Sequence, residues 1–166
     1  DVARKDEDGY FWFQGRAEFA GQQLGNRCVL GDPSEPEIRE RMQAAVLGGD
    51  TIRVPGLCVP EECVPQYFAG CPESRPVWGR FPVAEEWRSA LEAVLPDDGM
   101  SRVHYVSVTQ YPALHRLLRT FGEARGIPLL ACAPLHDHGD TTPMGALRCL
   151  FSTSIDALLL GEWAVL

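Results

Sequence analysis

The stretch 136–140 carries the side chains with the clearest chemical potential, because two imidazoles and two carboxylates lie within five residues. Imidazole and carboxylate groups are common ligands of divalent metals, and a neighbouring carboxylate can orient a metal-bound imidazole. His136, His138 and Asp140 are therefore candidate metal ligands, with Asp137 as the orienting acceptor. We favour a solvated acidic turn with exposed histidines, and a contact that responds to protonation is a further alternative.

Six cysteines form the second set, and their even number favours a disulfide framework. Three of them lie within fourteen residues, beside prolines that reduce the entropy lost when a disulfide closes. By proximity we favour a bond between Cys132 and Cys149, with Cys28 bonded to one of the central three. Buried thiols and a zinc site are the alternatives. The predicted disulfide residues are Cys28, Cys58, Cys63, Cys71, Cys132 and Cys149.

Three tryptophans are candidate anchors for a partner, since exposed aromatic side chains often dominate binding surfaces. Trp12 lies in a run of four aromatic residues, Trp78 in a Pro-rich stretch, and Trp163 in the apolar C-terminal end. Packing in the core is the alternative for each of them. The fourth tryptophan, Trp87, falls on a helical apolar stripe and is predicted to be buried.

Composition limits the classes of partner and of function. The 166 residues are 45% hydrophobic and carry a net charge of −8, which fits a globular domain and argues against a nucleic-acid partner. No apolar run is long enough to span a bilayer. The sequence lacks the nucleophile elbow, the phosphate-binding loop, the zinc-protease motif and the dinucleotide fingerprint. We therefore favour a function without catalysis and predict no cofactor.

Local patterns predict the elements that would position these residues. Ser34 and Glu37 resemble a capping box, which predicts a helix with Ile38 and Met42 on its apolar face. Prolines indicate a loop around Cys58. A second apolar stripe predicts another helix over 83–95. The remaining predicted elements are a strand over 103–108, a helix from Pro112 to Gly126, and a strand over 127–132.

If the last two strands pair in parallel, they form a βαβ unit whose two following loops meet at one edge of the sheet. Thr109 and Gln110 would then lie beside His136. We predict an α+β or small α/β fold, stapled by disulfides, with a βαβ-like C-terminal half. Residues 1–9 are predicted to be a flexible or partner-bound tail, and 10–166 a single disulfide-stabilised globular domain. Because the chain begins at Asp1 without Met, we expect a processed protein or an internal start.

The decapeptide 56–65, Gly-Leu-Cys-Val-Pro-Glu-Glu-Cys-Val-Pro, resembles the GLCVPxxCxP motif of the N-terminal extracellular domain of nose-resistant-to-fluoxetine (NRF) proteins. Leu24-Gly25-Asn26, with Cys28 shortly after, is similar to an LGN…C element of the same domain. The resemblance implies a lumenal or extracellular location and the use of disulfides. In that family the domain precedes a multi-pass acyltransferase-like membrane region, and no acyl-transfer activity is carried over to this chain.

Together these observations predict a secreted or lumenal interaction or ligand-binding module without enzymatic activity. Its partner would be a protein, such as a membrane-associated complex on which it docks as an accessory subunit. The alternative is a small metal-assisted hydrolase or transferase that uses the loop from His136 to Asp140. The metal content of the native protein distinguishes the two.

Overall fold

A computed structural model describes the greater part of the chain. The described residues are 2–5, 11–14, 28–45, 55–72, 78–134, 143–160 and 163–166, with the backbone alone for 2–5, 11–14, 78 and 134. The fold is mixed α+β, as predicted, and places helices on both faces of a central sheet. In chain order the elements are β1 Val2–Lys5, β2 Phe11–Gln14, β3 Cys28–Gly31, α1 Ile38–Ala45, β4 Gly56–Pro60, α2 Val64–Tyr67, β5 Trp78–Pro82, β6 Met100–Val106, α3 Pro112–Arg125, β7 Leu130–Pro134, α4 Pro143–Ser152, β8 Leu158–Leu160 and β9 Trp163–Val165.

The central sheet has five strands in the order β3-β7-β4-β6-β5. β4 runs parallel to β6, whereas the other neighbouring pairs are antiparallel. All five residues of β4 are buried, as expected for the middle strand of a sheet covered on both faces. β4 is therefore the middle strand of the sheet, with the antiparallel β7 on one side and the parallel β6 on the other.

The strand, helix and strand predicted over 103–132 are present as β6, α3 and β7, but the parallel pairing considered for the two strands does not occur. β4 lies between them, and β7 is antiparallel to it. Cys58 is opposite Leu130 and Gly56 is opposite Cys132. Because β6 runs with β4, the end of β6 at Val106 and the end of β7 lie at opposite ends of the sheet. Thr109 therefore does not lie at the end of the sheet where β7 finishes.

The two longer predicted helices form where the apolar periodicity places them. α1 buries Ile38, Met42 and Ala45, which fall on one face at helical spacing. α3 begins at Pro112, whose missing amide hydrogen is not needed in a first turn, and ends before Gly126. Gly126 has a φ of 84°, and its amide donates to the carbonyl of Gly122 at 2.8 Å, so it closes the helix as predicted.

Two local predictions are wrong. The stretch 83–95 holds two 3-10 helices, Glu85–Trp87 and Ser89–Val94, in place of one α-helix. Side chains three residues apart align on a 3-10 helix, which lets Leu91 and Val94 both reach the core. Cys58 lies in the middle of β4 and not in a loop, because Pro55 precedes this strand and Pro60 ends it, where a missing amide interrupts no inner ladder.

All six cysteines lie in the described part of the chain, and each is a thiol. The predicted disulfide framework is therefore wrong, as is the favoured bond between Cys132 and Cys149. Cys149 is buried on α4 and donates to the carbonyl of Ala45 at 3.4 Å. Two apolar clusters hold the fold together without disulfides. One lies between the sheet and α1, and the other lies between the sheet and α3.

Two small antiparallel sheets, β1 with β2 and β8 with β9, complete the described elements. The domain boundary predicted at residue 9 falls between β1 and β2, in residues that the structure does not describe, and the division into 1–9 and 10–166 stays a prediction. Across the described ranges, none of the helices has the length and apolar character needed to cross a membrane.

Candidate functional site

One face of the sheet gathers thiol and imidazole side chains from neighbouring strands. Successive residues of a strand face opposite sides of the sheet. Leu57 and Val59 belong to the core on the α1 side, whereas Cys58 and Cys132 belong to the α3 side. His104 on β6 is the direct partner of Cys58 on β4. We call Cys58, His104 and Cys132 the thiol–imidazole cluster.

Gly56 allows His104 to reach across β4 toward β7. It lies opposite Cys132, and a Cβ added to it would meet the His104 ring, at 2.9 Å from Nε2 and 3.0 Å from Cδ2. The ring therefore occupies the space that a side chain at this position would fill. From there the imidazole hydrogen-bonds the sulfur of Cys132. The glycine is thus part of the site, although it contributes no functional group.

Cys132 is the acidic thiol of the cluster. A hydrogen bond with Cys58, opposed by burial and reinforced by His104 and the charge of Arg102, lowers the pKa of Cys132 to about 6. The same hydrogen bond and burial raise the pKa of Cys58 well above its usual range. Cys132 is therefore the more acidic thiol of the pair, and Cys58 favours its protonated form. An acidic thiol beside an imidazole and a guanidinium is the typical environment of a reactive cysteine.

His104 also carries an unsatisfied polar atom. Its side chain is only 6% exposed, and Nδ1 is buried without a hydrogen-bond partner among the described residues. Leaving a buried polar atom unsatisfied costs about 1–3 kcal/mol. A ligand or an acceptor that reaches Nδ1 would recover this energy.

Arginines border the cluster on the side of β5. Arg102 lies two residues before His104 on the same face of β6, and it is exposed. Its direct partner on β5 is Arg80, which forms an ion pair with Asp98. A thiolate, a buried imidazole and an exposed guanidinium therefore share one face of the sheet. This combination can bind an anionic ligand and present a nucleophile to it.

The predicted metal site at His136, His138 and Asp140 lies outside the described residues and stays a prediction. Within the described ranges, no group of three or more His, Cys, Asp or Glu side chains is arranged to hold a metal ion. For Trp12 and Trp78 only the backbone is described, in β2 and β5 respectively. Trp163 lies on β9 with 77% of its surface exposed, and its role as a partner anchor stays a prediction.

His104 and Arg102 were not identified as site residues from the sequence. A signal was present, because these two polar residues alternate with Val103 and Tyr105 along β6, and alternation separates the two faces of a strand. The order of the strands was the missing information. Nothing in the sequence shows that β4 lies between β6 and β7, and only that order brings His104 to Cys132.

Comparisons with known proteins place the chain in an enzyme family. The family model of the carbamoyltransferase C-terminus matches residues 5–166. The nodulation protein NolNO of Sinorhizobium fredii is 29% identical over 161 residues, which cover 93% of this chain and 24% of NolNO. The 3'-hydroxymethylcephem-O-carbamoyltransferase of Streptomyces clavuligerus is 30% identical over 129 residues, which cover 78% of this chain and 24% of that enzyme. The chain thus spans about a quarter of the length of these relatives.

These findings overturn the resemblance to NRF proteins, because the family model spans nearly the whole chain whereas that motif covers ten residues. The accessory-module function and the secreted or lumenal location inferred from it are wrong as well. The disulfides that supported an oxidising compartment are absent from the six cysteines, all of them described. Of the functions predicted from the sequence, the transferase alternative agrees with the relatives. The chain belongs to the carbamoyltransferase C-terminus family.

Proposed function

We propose that this chain binds an activated carbamoyl donor at the thiol–imidazole cluster and takes part in transferring the carbamoyl group to a hydroxyl. The relative named as a cephem O-carbamoyltransferase supports the reaction class. The observation that carries the proposal is the position of Cys132, His104 and Arg102 on one sheet face, where a nucleophile, a proton carrier and a cation adjoin.

The donor is proposed to be a carbamoyl phosphate, because transfer of a carbamoyl group needs a good leaving group and phosphate is a common one. Such a donor is anionic. The guanidinium of Arg102 is exposed and can pair with phosphate oxygens through two N–H groups. With the phosphate at Arg102, the carbamoyl group would point along the sheet toward His104 and Cys132.

The remainder of the reaction is proposed to involve a protein partner. The relatives are about four times as long as the matched region, so the hydroxyl acceptor can bind to a part of those proteins outside that region. On this chain, the C-terminal elements expose apolar side chains, with 78% of Phe151, 66% of Leu159 and 77% of Trp163 accessible. Exposed apolar surface of this kind is typical of an interface. We propose that it contacts the part of a carbamoyltransferase that binds the hydroxyl acceptor.

Equilibrium binding tests the donor proposal. Carbamoyl phosphate, added to the purified chain in a calorimeter, is expected to bind with one site, and inorganic phosphate is expected to compete. Arg102→Ala should weaken binding by about tenfold or more, since a charge-assisted hydrogen bond contributes about 1.5–3 kcal/mol. Arg116→Ala is the matched control, because this exposed arginine lies on α3 away from the cluster.

Two outcomes would contradict the proposal. The first is the absence of heat and of competition at millimolar donor concentrations, with circular dichroism showing a folded chain. The second is equal weakening by Arg102→Ala and Arg116→Ala, which would mean that the donor is attracted only by general charge.

A further inference from the structure

We propose that a groove between α1 and the second 3-10 helix binds a free basic α-amino acid such as lysine. The groove has a volume of about 660 Å³, which is in the range of small-molecule sites. Both of its walls pack on the α1 side of the sheet, whereas Cys58 and Cys132 belong to the α3 side. The groove is therefore separate from the thiol–imidazole cluster, and its ligand is independent of the proposed carbamoyl donor.

An arginine without a carboxylate partner lies in the α1 wall of the groove. Nη2 of Arg39 donates to the carbonyl of Leu95 at 2.8 Å, and Nε is buried without a hydrogen-bond partner among the described residues. Among the ion pairs of those residues, none involves Arg39. Its guanidinium is thus partly withdrawn from water and not neutralised by the protein. A ligand carboxylate that accepts from its remaining N–H groups would supply the missing negative charge.

A second guanidinium lines the opposite wall. Nε of Arg88 donates to the carbonyl of Val83 at 3.3 Å, and Nη1 pairs with Glu85 at 2.9 Å. A Cβ added to Gly99 would lie 3.6 Å from Cζ of Arg88, so this guanidinium rests over a residue that has no side chain. Both arginines line the same groove. We therefore assign the carboxylate of the ligand to Arg39 and Arg88.

The other unpaired charges of the groove are negative. Glu40, Glu92 and Asp97 line it, and none of them forms an ion pair within the described ranges. Three unpaired carboxylates against the one unpaired guanidinium of Arg39 disfavour a simple anion such as phosphate. A ligand with one carboxylate and two ammonium groups complements this arrangement. Lysine has these groups at neutral pH.

The shape of the groove is fixed before a ligand binds. The amide of Gly99, which has a φ of 67°, donates to the carbonyl of Pro96 at 2.9 Å, and the amide of Met100 donates to Oδ1 of Asp98 at 2.9 Å. These bonds hold the turn that follows the 3-10 helix, so a ligand does not have to order it. Apolar atoms of the lining, including those of Leu95, can contact the carbon chain of lysine.

Titration of the ¹⁵N-labelled chain with L-lysine, followed by NMR, tests the proposal. We expect saturable shifts of the amide signals of Arg39, Arg88 and Gly99 that fit one site. Arg39→Ala should raise the dissociation constant by about tenfold or more, because charge-assisted hydrogen bonds are lost. Glu92→Gln should raise it by about threefold or more, because an ammonium loses its counter-charge. This second variant keeps the size of an exposed side chain and provides the test if Arg39→Ala does not fold.

Matched controls come from α3, where Arg116 and Glu123 are exposed. Arg116→Ala and Glu123→Gln should leave the dissociation constant for lysine unchanged. Carbamoyl phosphate should not displace lysine, because the two proposed sites lie on opposite faces of the sheet. Equal weakening by the groove variants and by the α3 variants would overturn the proposal, and so would displacement of lysine by carbamoyl phosphate.

Analogues of lysine test the charge pattern of the ligand. Cadaverine lacks the carboxylate, and Nα-acetyllysine lacks the α-ammonium and imitates a lysine at the C-terminus of a peptide. Each should bind about tenfold more weakly than lysine or worse. Equal binding of cadaverine would exclude the assigned role of the arginines, and equal binding of Nα-acetyllysine would exclude a free amino acid as the ligand. The absence of saturable shifts at millimolar lysine would refute the site and leave the proposed donor binding untouched.

Discussion

At the scale of single residues, a glycine and a histidine give Cys132 its chemistry. The His104 ring reaches the sulfur because Gly56 has no side chain to block it. The resulting pKa of about 6 is set by Cys58 first, and then by His104 and Arg102, against the effect of burial. The acidity of Cys132 on β7 therefore depends on side chains of two other strands, β4 and β6.

Gly56→Ala is expected to displace the His104 ring and to raise the pKa of Cys132 toward the ordinary value of about 8.5. The added methyl would lie 2.9 Å from Nε2 and 3.3 Å from the Arg102 carbonyl, so the ring must move. The measurement is the rate of Cys132 alkylation by iodoacetamide as a function of pH, followed in the tryptic peptide 126–148, in which Cys132 is the only cysteine. In the natural chain the rate should reach half its maximum near pH 6.

Val29→Ala is the matched control for this change, since Val29 packs on the opposite face of the sheet. It should leave the alkylation profile unchanged. An unshifted profile in Gly56→Ala would show that the histidine does not support the thiolate.

At the scale of elements, Asp32 ties the end of β3 to the last turn of α3. Its Oδ2 accepts hydrogen bonds from Arg125 at 2.6 and 2.9 Å, and its Oδ1 accepts one from the Ser34 hydroxyl at 2.6 Å. Burial alone would raise the pKa of Asp32, but the bonds from Ser34 and Arg125 lower it overall. A carboxylate whose pKa is lower in the folded state stabilises the fold at pH values above its pKa in the unfolded state. That stability is lost as the pH falls through the pKa of the folded state.

Asp32→Asn should reduce the free energy of unfolding at pH 7 by about 1–3 kcal/mol. The difference in free energy of unfolding between the variant and the natural chain should shrink below about pH 4, where the carboxylate of Asp32 also becomes protonated. Urea denaturation at several pH values measures both effects. Asp97→Asn, a change at an exposed carboxylate, should alter stability by less than about 0.5 kcal/mol. A difference that stayed constant with pH would exclude the ion pair as its cause.

Local elements could be predicted from the sequence where a residue pattern is compatible with only one kind of local structure. The apolar stripes of α1 and α3 and the glycine after α3 each specify a helix within one segment. Strand order depends on contacts between distant segments, and no local pattern records it. The site cannot be predicted from local patterns for this reason, because the prolines predict a loop around Cys58 and no pattern pairs His104 with β4.

The bonding state of the cysteines also could not be predicted from local patterns. Their number and spacing fit a disulfide framework, but four of them belong to the two core clusters or pack against them as thiols, namely Cys58, Cys63, Cys71 and Cys132. Cysteine is among the residues most often buried without any bond, so spacing alone does not distinguish the two states.

At the scale of the whole molecule, the described residues form a five-stranded sheet with a candidate donor site on one face, and the C-terminal elements expose apolar side chains. The relatives extend this unit about fourfold in length. The proposed donor binding uses residues of this chain, whereas transfer to a hydroxyl also needs an acceptor site. We therefore predict that the chain functions when it is joined to the rest of a carbamoyltransferase.

The most direct test replaces the matching region of the Streptomyces clavuligerus cephem O-carbamoyltransferase with this chain and measures carbamoylation of 3'-hydroxymethylcephem. We predict that the chimera forms carbamoylated product, that Arg102→Ala lowers its rate by about tenfold or more, and that Arg116→Ala leaves the rate unchanged. A folded chimera that binds carbamoyl phosphate and transfers nothing would contradict the account, as would product formation that does not depend on Arg102.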